Sequence, residues 1–160
     1  LDMSELQTVS RDETIAVDAL VDEVLVDLEP LAQEKEIKLI GNCKDTTMVG
    51  SDILIYRMVY NLVENAIKYN HFGGQVTVTA YRSGKNICLS IEDTGSGIPP
   101  ELKERIFEPF FRVDKSRSRQ LGGVGLGLAL VREIVRVHDG RITVQSSPSG
   151  GTIFEVVFTQ

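Results

Sequence analysis

Asn61, Asn65 and Lys68 lie four and three residues apart, so on a helix they stack along one side. Asparagine is a mediocre helix former because its amide competes for nearby backbone groups. Two of them one turn apart, followed by a lysine, suggest a polar site. An asparagine carbonyl can ligate Mg²⁺, its amide can donate to phosphate oxygens, and a lysine ammonium supplies a point charge for an anion. A solvated helix face with an ordinary Glu64–Lys68 pair would carry the same residues.

Two glycine segments further along weigh against that plainer reading. Asp93-Thr94-Gly95-Ser96-Gly97 follows an alternating apolar run and puts a carboxylate next to backbone that a ligand can approach closely. Taken alone it would equally suit a strand-ending turn. Gly122-Gly123-Val124-Gly125-Leu126-Gly127-Leu128 places four glycines where a helix begins, although each costs about 1 kcal/mol relative to alanine inside one. Such a segment aims backbone N–H groups at an anion on the helix N-terminus. The chain has no P-loop signature. The Gly-x-Gly-x-x-Gly spacing also fails, since its third glycine falls on Pro100, Leu128 or Leu130.

The elements that must position these groups follow from periodicity. Ile53, Leu54, Val59, Leu62, Val63, Ala66 and Ile67 form the apolar side of the asparagine helix, which Ser51 or Asp52 caps. Asp18 is the expected N-cap of an earlier helix reaching about Lys35, with Leu20, Val24, Leu25, Leu28 and Leu31 inward and Pro30 kinking or interrupting it. Thr14–Val17, Ile37–Ile40 and Met48–Val49 are expected as short strands. Gln75–Arg82 and the Ile87-Leu89-Ile91 run form an antiparallel pair. Pro99-Pro100 opens a helical turn leading into Ile106–Arg112, and Val113–Leu121 is polar and loop-like. A helix over Val124–Val137 buries Leu126, Leu130, Val131 and Ile134, before strands at Arg141–Gln145 and Thr152–Phe158.

At 160 residues the chain suits one domain with a sizeable core. A net charge of −6 argues against nucleic acid as the main partner. No apolar run approaches the length needed to cross a bilayer. Cys43 and Cys88 stand alone without metal-ligand spacing, as free, partly buried thiols. The opening Leu1-Asp2-Met3-Ser4 reads as a fragment of something longer, with residues 1–13 as a tail or the end of a preceding helical dimerisation domain.

Five segments occur in order: Asn61–Lys68, Asp93–Gly97, Phe107-Glu108-Pro109-Phe110-Phe111-Arg112, Gly122–Leu128 and Gly150-Gly151-Thr152. Together they resemble the asparagine, phenylalanine and glycine boxes of the catalytic ATP-binding domain of two-component sensor histidine kinases. That domain falls within the wider Bergerat-fold group, which also holds gyrase-type ATPases. The resemblance covers about Asp18 to Thr159. It implies an α/β (α+β) two-layer sandwich: a mixed, mostly antiparallel sheet of about five strands with three main helices on one face. The ATP-binding domain would occupy 14–160, with a lid loop at 113–123.

Carried over position by position, the resemblance implies ATP and Mg²⁺ as cofactors. Asp93 would accept from the adenine amino group, with Thr152 nearby through water, and Tyr69 and Ile98 would flank the base. Asn65 would hold Mg²⁺, while Asn61 and Lys68 would assist at the phosphate end. Gly95 and Gly97 would let the nucleotide lie against the chain. Gly123, Val124, Gly125, Leu126 and Gly127 would present backbone to the phosphates. Lys115, Arg117, Arg119 and Gln120 are lid candidates for the γ-phosphate, although simple solubility explains any one of them. Phe107, Phe110 and Phe111 would be core aromatics that anchor the lid and help form a docking surface.

Hydrolytic relatives place a glutamate four residues before the Mg²⁺ asparagine, whereas Asn61 cannot act as a general base at pH 7. Phosphoryl transfer to a protein histidine is therefore favoured over slow ATP hydrolysis or a non-catalytic nucleotide-binding module. Neither His71 nor His138, the two histidines present, sits in a phosphoacceptor context. The resemblance thus implies an acceptor on a separate helical dimerisation domain of the same protein and a response regulator downstream. It also implies a cytoplasmic, monomeric domain within a membrane-anchored homodimer. Asn70 departs from the pattern, which usually has Ser or Thr there, and bears on the mouth of the adenine pocket.

Overall fold

The computed structural model describes residues 3–109, 111 and 127–160. Its main sheet has five strands in the order β2 (Lys38–Cys43), β4 (Gln75–Ser83), β5 (Asn86–Asp93), β7 (Thr152–Thr159) and β6 (Arg141–Ser146). The β2–β4 pair is parallel and the other pairs are antiparallel. The strands β1 (Glu13–Ala16) and β3 (Thr47–Gly50) make a separate antiparallel pair. Among the described residues three helices complete the sandwich: α1 (Val17–Glu34), α2 (Asp52–Lys68) and α3 (Gly127–Val137). The expected two-layer fold is the observed one.

Strand alternation decides which face the helices cover. On β5, Ile87, Leu89, Ile91 and Asp93 are buried while Cys88, Ser90 and Glu92 are only partly so. A period of two assigns those sets to opposite faces. The inner set meets α2, which packs against α1, α3, β4 and β5. Buried on α2 are Leu54, Ile55, Met58, Val59, Leu62, Val63, Ala66 and Ile67. Each large apolar side chain contributes roughly 1.5–3 kcal/mol on burial. An asparagine in the same helix costs roughly 0.7 kcal/mol of propensity at most. The core therefore holds α2 in place, and its polar side is left to do something else.

The structure corrects several local expectations. Ile53 is 70 % exposed rather than inward, because it sits one residue off the stripe that Leu54, Met58 and Leu62 define. The N-cap of α1 is Ala16, without a side-chain bond, and Asp18 lies in the first turn with its Oδ1 sealed and unpartnered. Pro30 does not interrupt α1. Its missing N–H frees the carbonyl of Val26, which lies on the solvent face and can turn to water. In α3, Val131 and Ile134 are buried as expected, but Leu130 is only half-buried. Between Ile106 and Arg112 the described residues hold only a short 3₁₀ turn, Arg105–Phe107.

The ends of the chain join this core. A 3₁₀ turn at Met3–Thr8 packs on α3, and Leu6 within it is fully buried. At the other side, His138 follows α3 and reaches the start of α2. Its Nε2 accepts from Ser51 N at 3.0 Å, and its Nδ1 lies 2.8 Å from Ile134 O. Those two partners define the tautomer, with the proton on Nδ1. Ser51 Oγ in turn accepts from Leu54 N at 3.3 Å and caps α2.

Candidate functional site

Asp93 ends β5 on the inward face, in register with Val76 on β4. The period calls for an apolar residue there, and a carboxylate stands in its place with 9 % of its surface exposed. Its Oδ1 accepts from Gly95 N at 2.8 Å and from Thr152 N at 3.3 Å. Burial pushes the carboxyl above its ordinary value of 3.8, and those two N–H bonds pull in the opposite sense. Among the described residues, none donates to Oδ2. A desolvated carboxylate with one oxygen held by main-chain N–H groups, and the other without a donor among the described residues, suits a ligand N–H donor.

The strands around Asp93 leave no room for side chains. A Cβ on Gly151 would lie 2.0 Å from Asp93 O, and one on Gly95 would lie 2.6 Å from Tyr69 O. Gly97 has φ +77°, and its Cβ would lie 2.7 Å from Gly150 O. Glycine at these places is thus demanded by the chain's own packing. Their absent side chains bring four pieces together: the end of β5, the start of β7, the 147–151 hairpin and the end of α2. Thr152 is buried, Ile98 packs on the core, and Tyr69 is half-buried as the C-cap of α2.

Asn61, Asn65 and Lys68 are half-buried along α2 and lead into this cluster. Neither carboxamide makes a hydrogen bond among the described residues. Lys68 Nζ lies 3.8 Å from Glu64 Oε1, the ordinary i,i+4 pair that a solvated face would also show. The described residues hold no cluster of three or more His, Cys, Asp or Glu able to bind a metal. The carboxamide oxygens of Asn61 and Asn65 are instead hard donors of a kind that suits a cation such as Mg²⁺.

Gly127 opens α3 with nothing within 4 Å of its Cβ position. Gly123, Val124, Gly125 and Leu126 lie outside the described residues, as do the lid candidates Lys115, Arg117, Arg119 and Gln120, and Phe110. Phe107 is buried edge-on to Phe154, with ring centroids 6.2 Å apart. Phe111 is half-buried beneath the Arg105 guanidinium, 4.9 Å from its ring centroid.

One participant, Lys35, escaped the reading of the sequence, and another, Asn70, was read only as a departure at the mouth of the pocket. Lys35 closes α1 and reaches the end of α2, and Asn70 is buried at 1 % exposure with its side chain bonded to Gln75, His71 and Thr94. Asn70 stood out as a departure from the family pattern, which was a usable signal. Lys35 gave none, because a lysine between a helix and a strand looks like any surface charge.

The candidate site thus lies at the ends of α2, β5 and β7 in a two-layer α/β sandwich. The model of the histidine kinase-, DNA gyrase B- and HSP90-like ATPase family matches residues 50–160, and the chain belongs to that family. The sensor-like histidine kinase SenX3 of Mycobacterium tuberculosis is 39 % identical over 158 residues, covering 96 % of this chain and 38 % of SenX3. The chain thus spans about two fifths of the length of that curated relative. Among solved structures, the catalytic domain of histidine kinase ThkA superposes with a TM-score of 0.83 at 27 % identity, covering 94 % of this chain and 96 % of that one. Full-length ShkA in complex with AMPPNP gives 0.83 at 25 % identity over 98 % of this chain and 33 % of ShkA. ThkA has also been solved in complex with the response regulator TrrA. Within its family, the chain is a catalytic ATP-binding domain of the histidine-kinase type.

Proposed function

We propose that this chain binds Mg²⁺·ATP and transfers the γ-phosphoryl to a histidine on a separate helical dimerisation domain of the same protein, with a response regulator as the next acceptor. The observation that carries the nucleotide site is Asp93: a buried carboxylate in an apolar register position, with no donor to Oδ2 among the described residues. On this reading Asp93 accepts from the adenine amino group, and Tyr69 and Ile98 flank the ring. Thr152 reaches the base through water, and Gly127 with the segment before it presents backbone to the phosphates. Asn61 and Lys68 bind phosphate oxygens, and the carbonyl of Asn65 is the ligand for Mg²⁺. That ion would supply charge neutralisation on the phosphates when bound.

The chain's part in the reaction is positioning. The histidine nitrogen attacks the γ-phosphorus in line, the bond to the ADP oxygen breaks, and ADP leaves. Asn61 carries a carboxamide that takes up no proton at pH 7, so it activates no water. The polar stripe of α2 therefore supports transfer to a protein acceptor in preference to hydrolysis.

Calorimetric titration with ADP and a non-hydrolysable ATP analogue, with and without Mg²⁺, tests this directly. Wild type binds both, Asn65→Ala loses the Mg²⁺ dependence, and Asp93→Asn loses binding by tenfold or more, about 1.4 kcal/mol. Turnover of ATP by the isolated chain stays close to zero. Brisk turnover would identify a hydrolase, and no binding at all would remove the nucleotide site.

A further inference from the structure

Lys35 is half-buried at the C-cap of α1, where α1 meets the end of α2. Its Nζ donates to the main-chain carbonyls of Ile67 at 3.2 Å, Lys68 at 2.9 Å and Asn70 at 2.8 Å. These oxygens stand at the C-terminal end of α2, where the next turn is missing and the helix dipole is negative. An ammonium carries three N–H donors, and three carbonyls meet it. A lysine commonly caps its own helix. Here the cap comes from a neighbouring helix, so it ties two elements together.

Main-chain bonds close the same joint. Gly73 N donates to Lys35 O at 2.8 Å and Lys38 N donates to Gly74 O at 3.0 Å. The parallel pairing of β2 with β4 begins directly beyond, with Lys38 opposite Gln75. Asn70 carries the linkage onward to the site. Its Nδ2 donates to Gln75 O at 3.1 Å, and its Oδ1 accepts from His71 N at 2.8 Å and from Thr94 Oγ1 at 3.0 Å. Thr94 Oγ1 also accepts from Gln75 N at 3.0 Å. The short hydroxyl of Ser or Thr at position 70 has one donor and less reach, and could not hold Gln75 and Thr94 together. The network is tight at Gly74, where a Cβ would lie 2.3 Å from Asn70 Oδ1 and 2.6 Å from Thr94 Oγ1.

Thr94 and Gly95 directly follow Asp93, and Lys68 and Tyr69 directly precede Asn70. We infer that Lys35, acting through Asn70 and Thr94, is a positioning residue that holds the C-terminal end of α2 at a set distance from the Asp93 turn and thereby sets nucleotide affinity. The contacts on which this rests are those of Lys35 Nζ with the carbonyls at the end of α2. A displaced α2 end moves Lys68 and Tyr69 away from Asp93 while each keeps its own local structure. The affinity part rests on the nucleotide-site reading above, and the positioning part does not.

The test uses Lys35→Met, which keeps the length of the side chain and removes its donors, with Lys35→Arg as the conservative variant and exposed Lys85→Met as control. Amide hydrogen exchange without nucleotide reads positioning. In Lys35→Met, exchange rises at Asn70, His71, Gln75 and Gly95 and stays unchanged on β7. Calorimetry well below the unfolding midpoint reads affinity. The Kd for ADP rises about tenfold in Lys35→Met and returns to within about threefold in Lys35→Arg, while Lys85→Met matches wild type. A lowered midpoint with unchanged exchange at those four amides and unchanged Kd would overturn the inference, leaving Lys35 as a stabilising contact only. Should Lys35→Met fail to fold, Asn70→Ser is the second variant: the same rise in exchange and Kd supports the inference, and wild-type values overturn it. A wild type that binds no ADP overturns the nucleotide reading and the affinity part together, while the exchange result still decides the positioning part.

Discussion

Asp93 pays in stability for what it offers a ligand. Its carboxyl sits in a register position meant for an apolar residue, and burial raises its protonation point above 3.8. A raised folded value means the charged form is disfavoured in the fold. The stabilising contribution is present at low pH and is lost as pH rises through the folded value. Near neutral pH the ionised carboxylate therefore costs stability. Asp93→Asn keeps an acceptor for Gly95 N and Thr152 N and carries no charge. Its thermal midpoint is expected to equal or exceed that of wild type at pH 7, while ADP binding is lost. A midpoint well below wild type, read by circular dichroism, would make Asp93 a structural residue first. Functional residues commonly show this opposition between stability and activity.

At the scale of elements, His138 joins the end of α3 to the start of α2. The ring is packed edge-on to Phe158 at 5.9 Å, and a Cβ on Gly50 would lie 2.8 Å from it. Burial lowers its protonation point below 6.5, the Ile134 carbonyl opposes that shift, and Arg11 and Asp139 act on it from the flanking segments with opposite sign. Protonation would also put a proton on Nε2, where Ser51 N now donates. A lowered folded value means the unfolded chain takes the proton first. Stability is then unaffected above about pH 6.5 and falls as pH drops from there toward the folded value. The urea midpoint of wild type should fall between about pH 7.5 and pH 5.5, and that of His138→Gln should fall less. Asp93 acts in the opposite sense at lower pH, so the difference between the two proteins isolates His138. Parallel profiles would show that this joint does not titrate.

For the whole molecule, the proposed site is made from the ends of α2, β5 and β7, three elements far apart in sequence. A ligand seated there binds only the folded chain. At one hundred times its Kd, ADP is expected to add about 2.7 kcal/mol of stability and raise the melting midpoint by roughly 5–10 °C. Differential scanning calorimetry with and without ADP and Mg²⁺ measures this. A midpoint independent of ADP would mean the three ends do not converge on a nucleotide.

Strand alternation at Ile87, Leu89 and Ile91, and helical spacing through Leu62, Val63, Ala66 and Ile67, made the sheet and α2 legible from the sequence. The reason is that burying apolar side chains is the dominant favourable term and writes its period directly into the chain. The candidate site residues stood out for the opposite reason. Asn61, Asn65 and Asp93 are poor choices for a helix side and a buried strand end, and each had to be explained by something else. What period could not reveal were contacts between elements. Pro30 is tolerated because Val26 faces solvent, and Ile53 is exposed because the stripe begins one residue later. Lys35 and Asn70 meet only because β2 and β4 pair in parallel and bring the ends of α1 and α2 together. The sequence by itself determined the family, the layers and the chemistry on offer. Tertiary structure decided which backbone ends lie close enough for a lysine from one helix to cap another, since that depends on distances that no spacing along the chain records.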